Sequence, residues 1–227
     1  TATARLLLII WAGSILAGVV AGRDISQRFD PGMKMEVYIN DGAHVKPGDI
    51  AFVVEGKVQS LLQTERLMLN VMQRMSGIAT ITGEYVKLLE GTKCRVLDTR
   101  KTTPGMRLME KDAVRIGGGC NHRIGLFDRR LLKDNHIDFA GGIPQAVSRA
   151  QEYCKAKGKI LKIEVEVRNF DELNQVLALE GVDRVMLDNF SVENTRKAVE
   201  IVNGRLEVES SGGITFDTIR SYAECGV

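Results

Sequence analysis

Charged and hydroxyl side chains recur in this sequence where short apolar runs end. The runs are Cys94–Asp98, Arg130–Lys133, Ile160–Val167, Arg184–Leu187 and Arg205–Glu209. The polar sets that go with them read Thr99-Arg100-Lys101, Lys133-Asp134-Asn135-His136, Glu164-Val165-Glu166, Asp188-Asn189 and Ser210-Ser211-Gly212-Gly213. They are cationic first, then carboxylate, then a small loop. Fixed cations grip phosphate and carboxylate groups, and carboxylates hold hard divalent ions. The set suits a polyanionic substrate handled through a divalent metal.

The stretch Asp98–Gly105 adds the hydroxyls of Thr99, Thr102 and Thr103 to Arg100 and Lys101, and closes in a Pro-Gly turn. Arginine offers a planar fork and lysine a compact point charge. Downstream, Gly117-Gly118-Gly119 precedes His122 and Arg123. A glycine run lets backbone approach a ligand closely and turns N–H groups toward an anion. Read alone, it is more often a plain surface loop, and the neighbouring cationic clusters are what favour the anion site. Glu164 and Glu166 share one face of a strand, because side chains alternate with period two. Ionised groups on such a face need cations or a metal as partners. Asp188 adds a third carboxylate from the next strand; Glu164, Glu166 and Asp188 are candidates for a magnesium site, and salt bridging to inward Arg and Lys groups is the other reading.

The positioning elements follow from the same pattern. Helix-like stretches at Arg107–Ile116, Pro144–Lys157, Phe170–Leu179, Val192–Val202 and Phe216–Cys225 alternate with the runs. Pro144 suits a first helical position, and Gly158, Gly181, Gly204 and Gly226 fall where helices stop. Strands alternating with helices predict a parallel sheet with its reactive groups at the strands' carboxyl ends. Five such units are too few for an eight-stranded barrel. The last helix ends near Gly226-Val227, so the barrel-like domain reads as truncated.

Residues 1 to about 63 look β-rich. Leu6–Trp11, a turn at Ala12-Gly13-Ser14 and Ile15–Val20 read as a buried hairpin; Leu6–Gly22 is uncharged but shorter than the roughly 20 apolar residues of a membrane span. Lys34–Asn40 and Ile50–Val54 read as strands, with turns at Asp41-Gly42 and Val45–Asp49. Met33-Lys34-Met35 mimics a biotin attachment site, but only Glu36–Asn40 separate it from the Asp41-Gly42 turn, unlike such carriers. Thr64 is expected to cap a long helix whose buried stripe is Met68, Val71, Met72, Met75 and Ala79, with Arg66 on another face.

Composition narrows the class. The 227 residues carry 31 basic and 29 acidic groups, so no bulk field points to nucleic acid or membrane. Residues 95–130 alone hold nine Lys/Arg against four Asp/Glu. Cys94, Cys120, Cys154 and Cys225 form no CxxC pair and read as reduced thiols of a cytoplasmic protein.

Taken in order, DTRKTTPGMR, AVRIGGGCNHRIGL, LLKDNHI, IEVEV, MLDNF and ESSGGI resemble the quinolinate phosphoribosyltransferase family, also called carboxylating nicotinate-nucleotide pyrophosphorylases. TERLMLNVMQRMSGIAT and DGAHVKPGDI extend the resemblance upstream. It implies an α/β protein: a smaller N-terminal α/β sandwich with a connecting helix over 1–93, and a barrel-like parallel β/α domain over 94–227. It implies a cytoplasmic glycosyltransferase of NAD biosynthesis. Such an enzyme joins quinolinate to phosphoribosyl pyrophosphate with magnesium, giving nicotinate mononucleotide, pyrophosphate and carbon dioxide.

The same resemblance assigns residues. Arg100, Lys101 and Lys133 would be catalytic. With Thr99, His122 and Arg123 they would hold the substrate carboxylates and phosphates. Glu166 and Asp188 would meet the ribose hydroxyls and magnesium, and Ser211, Gly212 and Gly213 would cradle a phosphate. Arg66 would reach the neighbouring site in a homodimer or dimer-based oligomer. Against the family pattern, the chain begins inside the first hairpin, Leu6–Trp11 is more apolar than usual, and a final phosphate-binding strand is missing. A related phosphoribosyltransferase of the same superfamily, or a non-catalytic dimerising scaffold, are the alternatives.

Overall fold

The computed structural model describes residues 2–227. They form two compact units. One comprises residues up to Lys87 together with Arg95–His122, and the other Leu88–Cys94 with Arg123–Val227. No helix among the described residues is long and apolar enough to cross a membrane.

In the first unit, β1 (Thr3–Ile9) runs antiparallel to β5 (Ile50–Lys57), whose other edge pairs with β3 (Lys34–Val37). A two-stranded sheet joins β2 (Ser14–Ile15) to β4 (His44–Val45). The alternate side chains of β5, Phe52 and Val54, pack with Leu16, Val19, Met33, Leu61, Met68 and Met72. The expected stripe is buried on α2 (Val58–Leu88): Met68, Val71, Met72, Met75 and Ala79 are all at most 7% exposed.

Two expectations fail here for local reasons. Leu6–Trp11 and Ile15–Val20 do not form a buried hairpin: β1 pairs with β5, Leu7, Ile9 and Trp11 are exposed, and the second run is strand only at Ser14–Ile15 before α1 (Val19–Phe29) begins. The free N–H groups of Val19 and Val20 donate to the Asp41 carboxylate at 2.8 and 3.2 Å, so the cap comes from 22 residues downstream. Thr64 does not cap α2. It lies inside the helix, buried, with its hydroxyl donating back to the Ser60 carbonyl at 2.9 Å. That bond satisfies the hydroxyl without ending the helix.

In the second unit, β6 (Arg129–Leu132), β7 (Lys162–Val167), β8 (Arg184–Asp188) and β9 (Glu207–Ser211) form a parallel sheet in that order. The intervening α4 (Asp134–Ala140), α5 (Ile143–Ala156), α6 (Phe170–Leu177) and α7 (Val192–Val202) are followed by α8 (Ile219–Ala223). Asn169 and Ser191 cap α6 and α7 by accepting from Glu172 N and Asn194 N. Parallel pairing puts Ile163, Val165, Val167, Val185 and Leu187 on one face, packed with Leu173, Val176, Ala198 and Val202 of the helices. The opposite face is charged.

The α/β class with a parallel sheet and a small N-terminal sheet is therefore observed. The run Cys94–Asp98 is the exception among the expected strands. It makes a single parallel bridge, Leu97 to Cys120. The helix α4 is also new, since Lys133–His136 reads as a polar loop. There the Lys133 N–H donates to His136 Nδ1 at 3.0 Å as the helix begins.

Candidate functional site

Within the first unit, the Thr99–Thr103 segment is held from beneath. Asp98 and Lys111 of α3 (Arg107–Ile116) form a buried ion pair, their side chains 5% and 4% exposed. The same carboxylate accepts from Asn121 Nδ2 at 2.6 Å and from the His122 backbone N–H at 2.9 Å. One buried aspartate thus fixes both the run before Arg100 and the residue His122. Further on, Glu110 accepts from the Thr103 N–H at 3.1 Å and from Arg74 Nε at 2.9 Å. Burial alone would push the Glu110 carboxyl up, but Thr103 and Arg74 outweigh it and hold it below its ordinary value.

Above these anchors Thr99 and Lys101 are exposed and Arg100 is half-buried. The Arg100 Nε is buried with no hydrogen-bond partner among the described residues. Arg107 instead takes the local carbonyl, donating to Arg100 O at 3.4 Å and to Thr102 Oγ1 at 3.3 Å. A guanidinium with an unsatisfied donor beside an exposed lysine has the chemistry of an anion seat. Arg66 is exposed on α2, with no ion pair among the described residues.

The triple glycine has a different role from the one its sequence suggests. Gly117, Gly118 and Gly119 N–H groups donate to Ala113, Arg115 and Val114 carbonyls, closing the end of α3. A Cβ on Gly117 would stand 2.3 Å from the Ala79 carbonyl oxygen and 2.8 Å from Thr82 Cβ on α2. These glycines let two helices meet, and their N–H groups are not turned toward an anion. Gly117 has φ −74°, open to any residue, so only the overlap penalises a side chain. Gly117→Ala is expected to cost about 1–3 kcal/mol or more through overpacking. A urea midpoint equal to that of the parent would refute the close-packing role.

Within the second unit, the charged face of the sheet has two tiers. Near the strand starts, Arg129 Nη1 lies 3.6 Å from Glu164, which is 0% exposed. Arg184 donates to Glu207 at 2.6 and 2.9 Å and to Glu209 at 2.9 Å. Burial opposes the Arg184 charge, but Glu207, Glu164 and Glu209 together raise its pKa. Arg184 in turn holds the Glu207 carboxyl below its ordinary value. For Glu164 the salt-bridge reading is the one observed.

Near the strand ends, Lys133 Nζ donates to Glu166 Oε2 at 2.5 Å. Glu166 pairs in register with Met186, which places Asp188 on the same face one step further on. Asp188 is half-buried and accepts from Asn189 Nδ2 at 3.0 Å. Its register partner on β9 is Ser211. Gly212 and Gly213 then adopt φ +90° and +65°. A Cβ on Gly212 would fall 2.2 Å from Asn189 Oδ1, so the loop after β9 folds tightly against the loop after β8. Arg123 is buried and His122 half-buried.

Lys133, Glu166, Asp188 and Ser211 are thus brought to one end of one sheet face. Sequence reasoning missed the supports: Asp98 with Lys111, Glu110 with Arg74, and Arg129 with Arg184. Glu110-Lys111 on an otherwise amphipathic α3 was the available signal, since charges on a core-facing side demand partners. For magnesium the donor set is compatible. This ion takes one or two carboxylates and fills its shell with water and phosphate oxygens, and Glu166 with Asp188 supplies that number.

Comparison with known proteins gives consistent results. Residues 3–76 match the family model described as quinolinate phosphoribosyl transferase, N-terminal domain, and residues 78–227 match its C-terminal domain. A mitochondrial, decarboxylating quinolinate phosphoribosyltransferase 2b of Nicotiana tabacum is 40% identical over 94% of this chain. A probable carboxylating nicotinate-nucleotide pyrophosphorylase of Bacillus subtilis is 37% identical, with 94% of this chain and 72% of that protein aligned. The solved nicotinate-nucleotide pyrophosphorylase of Francisella tularensis superposes with TM-score 0.90 at 42% identity, covering 100% of this chain and 79% of that one. The chain spans 64% of the length of the tobacco relative.

Proposed function

The chain belongs to the quinolinate phosphoribosyltransferase family, and from that membership we propose that it transfers the phosphoribosyl group of phosphoribosyl pyrophosphate to quinolinate with decarboxylation. The ring nitrogen of quinolinate would attack the anomeric ribose carbon while the bond to pyrophosphate breaks. Loss of carbon dioxide from the adjacent ring carbon leaves an electron pair there, which the quaternised nitrogen stabilises until a proton arrives. The products are nicotinate mononucleotide, pyrophosphate and carbon dioxide.

The observation that carries the reading is the upper tier of the charged sheet face, where Lys133, Glu166, Asp188 and Ser211 converge. In the proposal Glu166 and Asp188 orient the ribose hydroxyls and hold magnesium, which would neutralise charge on the pyrophosphate. Lys133 meets a substrate anion while its ion pair holds the Glu166 side chain in place. Ser211, Gly212 and Gly213 offer backbone N–H groups to a phosphate. Family membership gives Thr99, Arg100, Lys101, His122 and Arg123 the binding of substrate carboxylates and phosphates. Positioned cations stabilise charge developing on the leaving group, and positioning of two reactants removes much of the entropic barrier.

Two further parts of the proposal concern assembly and compartment. Exposed Arg66 would serve the neighbouring site of a homodimer. The four free cysteines suit a reducing compartment, and the cytoplasm is the one proposed.

The test is carbon dioxide release and nicotinate mononucleotide formation from quinolinate and phosphoribosyl pyrophosphate with magnesium, beside Arg100→Ala. Product in the parent and its loss in the variant are expected. Product from nicotinate in place of quinolinate would instead assign a related phosphoribosyltransferase. No product from either acid, with a folded chain, would favour the scaffold reading.

A further inference from the structure

Arg130 is a charged residue on the apolar side of its strand. Its neighbours Arg129 and Leu131 share a face with Glu164, whereas Arg130 pairs in register with Ile163, which is 3% exposed in the core beneath the helices. The Arg130 Nε is buried with no hydrogen-bond partner among the described residues. Its guanidinium carbon stands 4.6 Å from the centroid of the Tyr153 ring on α5. A cation–π contact offsets only part of the cost of half-burying a guanidinium, and no carboxylate among the described residues pairs with it. A buried donor left in this state calls for a missing acceptor.

The surroundings say what that acceptor is. Arg130 and Tyr153 line a cavity of about 370 Å³ bounded by β6, α4 and α5, within the range that holds small ligands. Arg149, His136 and Phe139 line it too, over a floor of short apolar side chains, and no acidic residue does. His136 Nδ1 accepts the Lys133 N–H, so in the neutral ring Nε2 carries the hydrogen and is a donor. Phe139 is 88% exposed, an aromatic face left open to a planar partner. Two guanidiniums and an imidazole N–H match the three terminal oxygens of a phosphate better than the two of a carboxylate.

We propose that this cavity is a second ligand site, which binds a nucleoside monophosphate with its phosphate on Arg130 and Arg149 and its base against Phe139. Period-two alternation places the site on the opposite face of β6 from the side that carries Lys133 and Glu166. Its occupancy is therefore independent of the transfer chemistry.

Calorimetric titration of the whole chain with adenosine 5′-monophosphate, adenosine and inorganic phosphate tests this. One saturable site for the monophosphate is expected, with adenosine or phosphate alone binding at least tenfold more weakly. Binding should persist in Arg100→Ala and fall at least tenfold in both Arg130→Met and Phe139→Ala. Phe139→Ala changes an exposed side chain, so misfolding does not explain a loss there. The melting temperature of Arg130→Met without ligand should equal or exceed that of the parent, because a half-buried guanidinium with an unsatisfied Nε has been removed. Absence of binding, binding unchanged in Arg130→Met, or binding abolished by Arg100→Ala would each overturn the proposal.

Discussion

Asp98→Ala is expected to lower folding stability by about 3–5 kcal/mol, the largest single loss among the substitutions considered. The cause is what the alanine leaves behind. Lys111 would remain buried at 4% side-chain exposure with its counter-charge gone. The His122 N–H would lose its Asp98 acceptor and the Asn121 amide one of its two in the same step. Removing both charges is a different experiment: Asp98→Leu combined with Lys111→Met should recover much of the loss, since apolar replacements of a buried pair are often near neutral. Urea unfolding of the three variants reads this out. A double variant as unstable as Asp98→Ala would show that the hydrogen bonds to Asn121 and His122, not the ion pair, carry the energy.

Lys133→Ala is expected to lower kcat/KM by about 10²–10³, the loss typical of removing one group that stabilises transition-state charge. Part of that loss belongs to Glu166, which is 8% exposed and would be left as a buried carboxylate without its cation. Glu166→Gln, alone and combined with Lys133→Ala, separates the two. If the lysine acts chiefly by holding Glu166, the double variant will be no worse than the worse single one, because neighbours in one network are not additive. If Lys133 also meets substrate, the double variant will fall further, and phosphate-bearing substrate will show the larger rise in KM. A kcat/KM unchanged in Lys133→Ala would remove this residue from the proposed chemistry.

The parallel sheet was legible because its strands are marked twice, by β-branched runs and by a polar set at each end. Ile163, Val165 and Val167 alternate with Glu164 and Glu166, and period two alone separates a core face from a charged one. Arg107–Ile116 and Val192–Val202 were readable to the residue, the second because Ser191 caps its own helix. What escaped the sequence depends on partners far along the chain. α1 is capped by Asp41, a residue no local window includes. The run Cys94–Asp98 has strand-like composition, but its described partner is the short stretch at Cys120, so only one bridge forms.

The candidate site follows the same division. Side chains at strand ends were nameable from spacing, whereas Glu110 and Lys111 were marked only as charges on a core-facing helix side, and their partners Arg74 and Asp98 emerge once α3 is folded. The triple glycine shows the converse error. Its sequence suits an anion loop, but the atoms a Cβ would strike belong to a helix.

The charged face of the second unit's sheet also bears on how its strands find one another. If β7 slid by one residue against β6 and β8, its alternation would turn Glu164 and Glu166 toward the helices, and Val165 would face away from the core. Arg129 and Lys133 would lose their carboxylates in the same move, and Arg184 its neighbour Glu164, keeping only Glu207 and Glu209 on β9. An all-apolar parallel strand carries no such penalty, since either face is equally welcome beneath a helix. The ion pairs of this face thus penalise a shifted strand pairing as the chain folds, and thinning out those charges to gain stability would erode the fidelity of the register.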